Sequence, residues 1–183
     1  RVGKFFIGYA TDKNEQVTYS FFAKTVPCPT PGPDVLVLVP MGQSNAGNTI
    51  KDVLFDLGDR RIVNFYAGGC TIARDPLVGN AGLDGSIWSP LAAKLLKEGR
   101  WSAVVISAMA VGGTRISRWR PGGNLAPMVT VRLRDLAAAG YDNVNVLWHQ
   151  GESDWGSDPA LYERSLRDLI ALIRSQVLRS NIF

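Results

Sequence analysis

One serine stands where an apolar run meets a turn: Ser44 lies in Met41-Gly42-Gln43-Ser44-Asn45-Ala46-Gly47, directly after Val35-Leu36-Val37-Leu38-Val39. A short β-branched apolar run reads as a parallel strand covered on both faces, and ligands of such sheets gather at the carboxyl ends of the strands. Small and polar neighbours let the chain turn sharply and leave the hydroxyl exposed, as a nucleophile requires. The same residues also suit a plain strand-to-helix turn with Ser44 as its N-cap. Two more segments follow apolar runs in the same way, Ala110-Val111-Gly112-Gly113-Thr114 and Trp148-His149-Gln150-Gly151-Glu152-Ser153-Asp154. Acyl transfer needs a nucleophilic oxygen and donors aimed at the oxyanion that develops on the carbonyl. Ser44 offers the oxygen and its own backbone N–H. Gly112, lacking a Cβ, lets a carbonyl approach its N–H, and the Gln150 carboxamide is a third candidate donor. Asn45, Gly113, His149 and Glu152 are candidates for substrate contact or support. Glu152 and Asp154 either serve the site or cap the following turn. Strand alternation directs His149, the single histidine, away from Gln150, which favours a structural place beneath the site over a general base.

These segments need a sheet to bring them together. From residue 34 onward strand-like runs at 35–39, 61–66, 102–110 and 144–149 alternate with helical patterns. Ser89-Pro90 reads as N-cap and first helical residue of a helix over 91–98 that stops at Gly99, and a second helix over 127–139 stops at Gly140. A third opens at Ser157-Asp158-Pro159 and carries Tyr162, Leu166, Leu169, Ile170, Ile173 and Val177 on one stripe. This order predicts a parallel sheet with right-handed crossovers and helices on both faces. The Gly-rich stretch 67–88 has no periodicity and reads as a long functional or mobile loop. Its Gly68-Gly69-Cys70 reads as a plain loop, because no phosphate-binding pattern follows.

Ahead of this region, 4–10 and 17–24 are β-prone runs around the polar 11–16, the pattern of a hairpin. Pro27-Cys28-Pro29-Thr30-Pro31-Gly32-Pro33 is a stiff extended connector, so residues 1–33 form a hairpin and linker, or the end of an upstream domain, and 34–183 the main domain. Composition fits that division: 183 residues, 46% hydrophobic and 20% charged, can bury a core of one domain. The formal charge of +4 comes from scattered basic residues, which argues against nucleic acid as partner. No run of 18 apolar residues is present to span a membrane. Cys28 and Cys70 either pair or stay free, and no Cys/His cluster suggests zinc. Of the five tryptophans, Trp119, Trp148 and Trp155 lie in or beside the three candidate segments, where each either stacks on a ligand or packs in the core.

Taken in order, Gly-Gln-Ser-Asn at 42–45, Val-Gly-Gly-Thr-Arg-Ile at 111–116 with Trp119, and Trp-His-Gln-Gly-Glu-Ser-Asp at 148–154 resemble the first three sequence blocks of the SGNH hydrolase superfamily. More narrowly, they resemble its sialate O-acetylesterase and acetylxylan esterase branch, carbohydrate esterase family 6. The resemblance runs from residue 35 to about 175. It implies a flavodoxin-like three-layer αβα sandwich around a parallel sheet. It also implies hydrolysis of acetyl esters on carbohydrate without metal or cofactor, Ser44 as nucleophile, and the Ser44 amide, Gly112 and Gln150 as oxyanion donors. In this branch Gln150 stands where other SGNH enzymes carry asparagine. Polysaccharide deacetylation would suit a secreted or periplasmic setting. The family completes its triad with Asp-x-x-His after a fifth strand, and the sequence through Phe183 shows neither. The expectation is therefore an SGNH domain whose last strand and Asp-x-x-His segment are missing. Such a domain is an incomplete enzyme on its own, its partner being a C-terminal remainder of the same polypeptide. The rival expectation is a catalytically inactive carbohydrate-binding or structural module that keeps the hydrolase scaffold.

Overall fold

The computed structural model describes residues 2–10, 16–51, 53–56 and 58–183. Among these residues it shows a mixed α/β architecture: nine strands in one sheet and three α-helices. The strands are β1 (Val2–Ala10), β2 (Gln16–Val26), β3 (Val35–Gly42), β4 (Ile62–Tyr66), β5 (Gly69–Ile72), β6 (Ala103–Ile106), β7 (Met109–Ala110), β8 (Asn143–His149) and β9 (Arg179–Ile182). The helices are α1 (Trp88–Lys97), α2 (Ala126–Ala138) and α3 (Pro159–Arg174). Along the sheet the order is β1-β2-β5-β4-β6-β3-β8-β9, with the short β7 paired to β3.

The parallel part, β4-β6-β3-β8-β9, is what positions the site. Alternation along β3 sorts its side chains onto two faces. Leu36 and Leu38 join Ile62, Val104 and Ile106 under Trp88, Ala92 and Leu96 of α1. Val37, Val39 and Met41 join Val63, Val105, Val144 and Val146 under Val129, Leu133 and Leu136 of α2 and Leu169 and Ile173 of α3. Both faces are thus covered by helix, which is why β3 is apolar at consecutive positions. In chain order the five parallel strands lie second, third, first, fourth, fifth. This differs from the 2-1-3-4-5 order of a flavodoxin, because the third strand here inserts between the first two. The first strand, β3, still sits where the order reverses, so its carboxyl end is the place for a ligand.

Three expectations need correction. The last strand is not missing: Arg179–Ile182 pairs in parallel with Asn143–Val146 of β8. In the sequence 178–183 reads as the start of a strand cut short, and 179–182 already pair as a four-residue strand of half-buried and exposed residues. The stretch after β4 is not all loop. Ala67 and Gly68, both with positive φ, form a two-residue turn that returns the chain as β5, antiparallel to β4. Such turns favour Asn-Gly or Gly-Gly, and Ala67 gives no such cue. Finally, Ser89 does not cap α1, which begins at Trp88. Its hydroxyl instead donates to the buried carboxylate of Asp75, 2.8 Å away.

At the N-terminal side β1 and β2 pair in antiparallel register from Val2↔Lys24 to Ala10↔Gln16, as a hairpin should. The polar turn expected at 11–16 lies, up to residue 15, outside the described residues. Thr25 and Val26 pair with Thr71 and Cys70 of β5, and Cys28 forms a disulfide with Cys70. The hairpin is thereby continuous with the central sheet.

Candidate active site

The nucleophile turn is built by the end of β3. Gly42 has φ of +143°, and a Cβ built there would lie 2.0 Å from the His149 carbonyl oxygen, so only glycine lets β3 and β8 approach this closely. Gln43 N–H then donates to that carbonyl at 3.2 Å. Residues 44–46 form a single 3-10 turn with no side-chain cap, which leaves Ser44 half-exposed at the edge of the sheet. The N-cap alternative for Ser44 is not what the chain adopts.

Several contacts hold the turn rigid. The Ser44 carbonyl accepts from Gly47 N–H and from the Thr49 hydroxyl, at 2.8 and 2.9 Å. The Ala46 carbonyl accepts from the Trp88 indole at 2.7 Å and from the Asn80 amide at 3.1 Å. Asn48 donates to the Leu77 carbonyl and accepts from its N–H, at 2.9 and 3.0 Å. In the same loop Val78 N–H donates to the side-chain oxygen of Asn64 on β4. The stretch 73–88 is therefore a buttress tied to the nucleophile turn, the structural answer to its lack of periodicity.

Gly112 faces Ser44. A Cβ built on Gly112 would lie 3.9 Å from Ser44 Cβ and meet nothing else within 4 Å. Neither the Ser44 N–H nor the Gly112 N–H donates to any described acceptor. Two unused amide protons thus flank one hydroxyl, the arrangement that receives a developing oxyanion. Gly113 beside it is exposed, with φ of +65°.

Gln150 joins all three segments. Its Nε2 donates to the Thr114 carbonyl at 2.8 Å, to Asp154 Oδ2 at 2.7 Å and to Gln43 Oε1 at 3.2 Å. Its Oε1 accepts from the Tyr162 hydroxyl at 3.0 Å. Two amide protons thus already serve three acceptors. Gln43, only 4% exposed, also accepts from Ser153 N–H, and Asp154 Oδ2 also accepts from Ile116 N–H at 2.8 Å. Asp154 is thereby a clamp between the second and third segments. Asn45 donates to Glu152, which links the first segment to the third.

His149 departs from expectation: its side chain is exposed rather than tucked beneath the site, and its backbone carbonyl does the supporting. Among the described residues none hydrogen-bonds the Ser44 hydroxyl, His149 and Glu152 included. The tryptophans separate clearly. Trp119 is fully buried, donates to Thr114 Oγ1 at 2.9 Å and meets Trp148 edge-to-face at 5.5 Å, so it is core. Trp148 is half-buried and donates to the Tyr162 hydroxyl. Trp155 is 93% exposed.

Two contributors, Gln43 and Tyr162, carry no role in the sequence reading. Tyr162 was legible only as part of an apolar stripe, because a phenol on the buried side of a helix looks like core. Burial, the largest cause, raises its pKa above the ordinary tyrosine value; Asp154 and Glu152 act in the same direction and the Trp148 hydrogen bond against it. The phenol accordingly keeps its proton and remains a donor to Gln150.

Comparison with known proteins gives the chain a family and a fold. The family model described as carbohydrate esterase, sialic acid-specific acetylesterase, matches residues 76–183, which include Gly112 and Gln150, with Ser44 preceding them. A protein from Arabidopsis thaliana of known crystal structure is similar in fold, with a TM-score of 0.61 and 23% identity. That similarity covers 79% of this chain and 69% of the Arabidopsis chain. No curated protein sequence matches.

Proposed function

The chain belongs to the carbohydrate esterase family of sialic acid-specific acetylesterases, and from that premise we propose that it removes O-acetyl groups from sugars, of the sialic acid or xylan type, as an SGNH serine esterase. The observation that carries this reading is the pair of unused amide protons, on Ser44 and Gly112, beside the half-exposed Ser44 hydroxyl. In the mechanism, Ser44 Oγ attacks the acetyl carbonyl carbon while its proton passes to a base. The oxyanion is received by the Ser44 and Gly112 amides. Gln150 joins as third donor when the substrate displaces its longest contact, the one to Gln43 Oε1. The sugar hydroxyl leaves with the proton returned by the base, and water then releases acetate from the acetyl-serine by the same steps in reverse.

A serine hydroxyl needs a base to act. We assign that role to the histidine of an Asp-x-x-His segment, the base that the family resemblance implies. The Cys28–Cys70 disulfide supports assembly in an oxidising compartment, as secretion or the periplasm would provide.

Acetate release from an O-acetylated sugar tests the reading. Ser44→Ala is expected to lower the rate by at least about a thousandfold, the scale seen when a triad member is lost. Wild-type rates in Ser44→Ala would overturn it. The second reading, an inactive carbohydrate-binding module, draws on the absence of a described partner for the Ser44 hydroxyl. It predicts sugar binding with no acetate release by the protein.

A further inference from the structure

Arg115 and Trp155 flank the same hydrogen bond. The N–H of Ile116, next after Arg115, donates to the carboxylate of Asp154, next before Trp155. Each backbone is held on both sides. The Thr114 carbonyl accepts from Gln150, Arg118 N–H donates to the Arg115 carbonyl, and Trp155 N–H donates to the Glu152 carbonyl. The two side chains are nonetheless uncommitted. Arg115 is exposed and has no acceptor among the described residues, and the Trp155 indole is 93% exposed with no ring or hydrogen-bond partner among them. Tryptophan is on average among the well-buried residues, so a bare indole on a fixed turn beside a catalytic edge calls for a ligand.

The neighbouring groups make this pair distinct. Arg118 and Arg120 turn into local contacts with Asn124 and the Pro121 carbonyl. Trp119 and Trp148 spend their rings and indole protons within the fold. Both nearby carboxylates are occupied, Glu152 by Asn45 and Asp154 by Gln150 and Ile116. Among the described residues of these three turns, Arg115 is thus the arginine whose guanidinium has no acceptor, three residues after Gly112. A guanidinium receives a carboxylate through two parallel hydrogen bonds, and an indole face receives the C–H face of a sugar ring.

We propose that Arg115 and Trp155 form a subsite that selects acetylated sugars bearing a carboxylate over neutral ones, with Arg115 pairing the acid and Trp155 stacking on the ring. This inference rests on the esterase reading for its choice of sugar, and the test separates the two. The Ser44→Ala protein, which holds substrate unchanged, is titrated with O-acetylated sialic acid and with the carboxyl methyl ester of the same compound, following heat release. The free acid is expected to bind about tenfold more tightly, on the scale of a charge-assisted hydrogen bond. Arg115→Gln is expected to bring the ratio to about one, and Trp155→Ala to weaken both ligands about tenfold with the ratio kept. Equal affinities in Ser44→Ala, or a ratio that Arg115→Gln leaves intact, would overturn the subsite. Ser44-dependent acetate release with no preference for the acid defeats the subsite alone. An Arg115-dependent preference without acetate release defeats the hydrolytic reading alone.

Discussion

Gly42 and Gly112 lie at the ends of neighbouring strands and should answer the same substitution in opposite ways. A methyl on Gly42 would drive into the His149 carbonyl at a backbone angle that side chains rarely adopt, so Gly42→Ala is expected to destabilise the fold by several kcal/mol, more than about 3. A methyl on Gly112 has room. Gly112→Ala should melt within a degree or two of wild type, yet lose acetate release about a hundredfold or more as the methyl crowds the carbonyl's approach to the amide. Paired melting curves and rate measurements check both. Tyr162→Phe is expected to lower kcat about tenfold with little change in KM, because it frees Gln150 without touching substrate. That Ser44, Gly112 and Gln150 meet at one edge of the sheet was legible in the sequence because each closely follows an apolar run. Gln43 and Tyr162 were not, because their value lies in whom they meet, and spacing along the chain does not encode a contact across 107 residues such as Gln43 with Gln150.

At the scale of elements, four strands and three helices of the main domain follow from period and punctuation alone, with bounds displaced by a few residues. What escaped is what depends on partners. The β4–β5 hairpin hides behind an alanine at a left-handed turn position, whereas 178–183 reads as the start of a strand whose pairing with β8 only the fold reveals. The start of α1 is displaced for the same reason. The chain just ahead of it is gathered by Asp75, which accepts from Ser86 N–H, from both serine hydroxyls, Ser86 and Ser89, and from Phe55 N–H. A 7%-exposed carboxylate with this many donors concentrates the anchoring of the buttress loop in one side chain. Asp75→Ala is expected to cost about 2–4 kcal/mol in denaturant unfolding, since several buried donors lose their acceptor together. It should also reduce activity, because the loop it holds carries Leu77 and Asn80 against the nucleophile turn.

Across the whole molecule, one covalent link ties the amino-terminal segment to the catalytic sheet. The Cys28–Cys70 bridge closes a loop over a separation of 42 residues, and Cys70 is buried. Loop-closure entropy for that span amounts to about 4 kcal/mol, so reduction, or replacing both cysteines by serine, should lower the unfolding free energy by roughly that amount. The sequence left the pairing open because the two thiols lie far apart in the chain, and only the return of β5 alongside β2 brings them together. The larger claim is that three turns from separate strands make one acyl-transfer site with Ser44 as its nucleophile. Rapid quenching of the protein during turnover of an acetyl ester, followed by mass analysis of its peptides, measures this most directly. An acetyl group on Ser44 that forms and decays at the rate of acetate release is the predicted result; acetate release with Ser44 never acetylated would contradict the account.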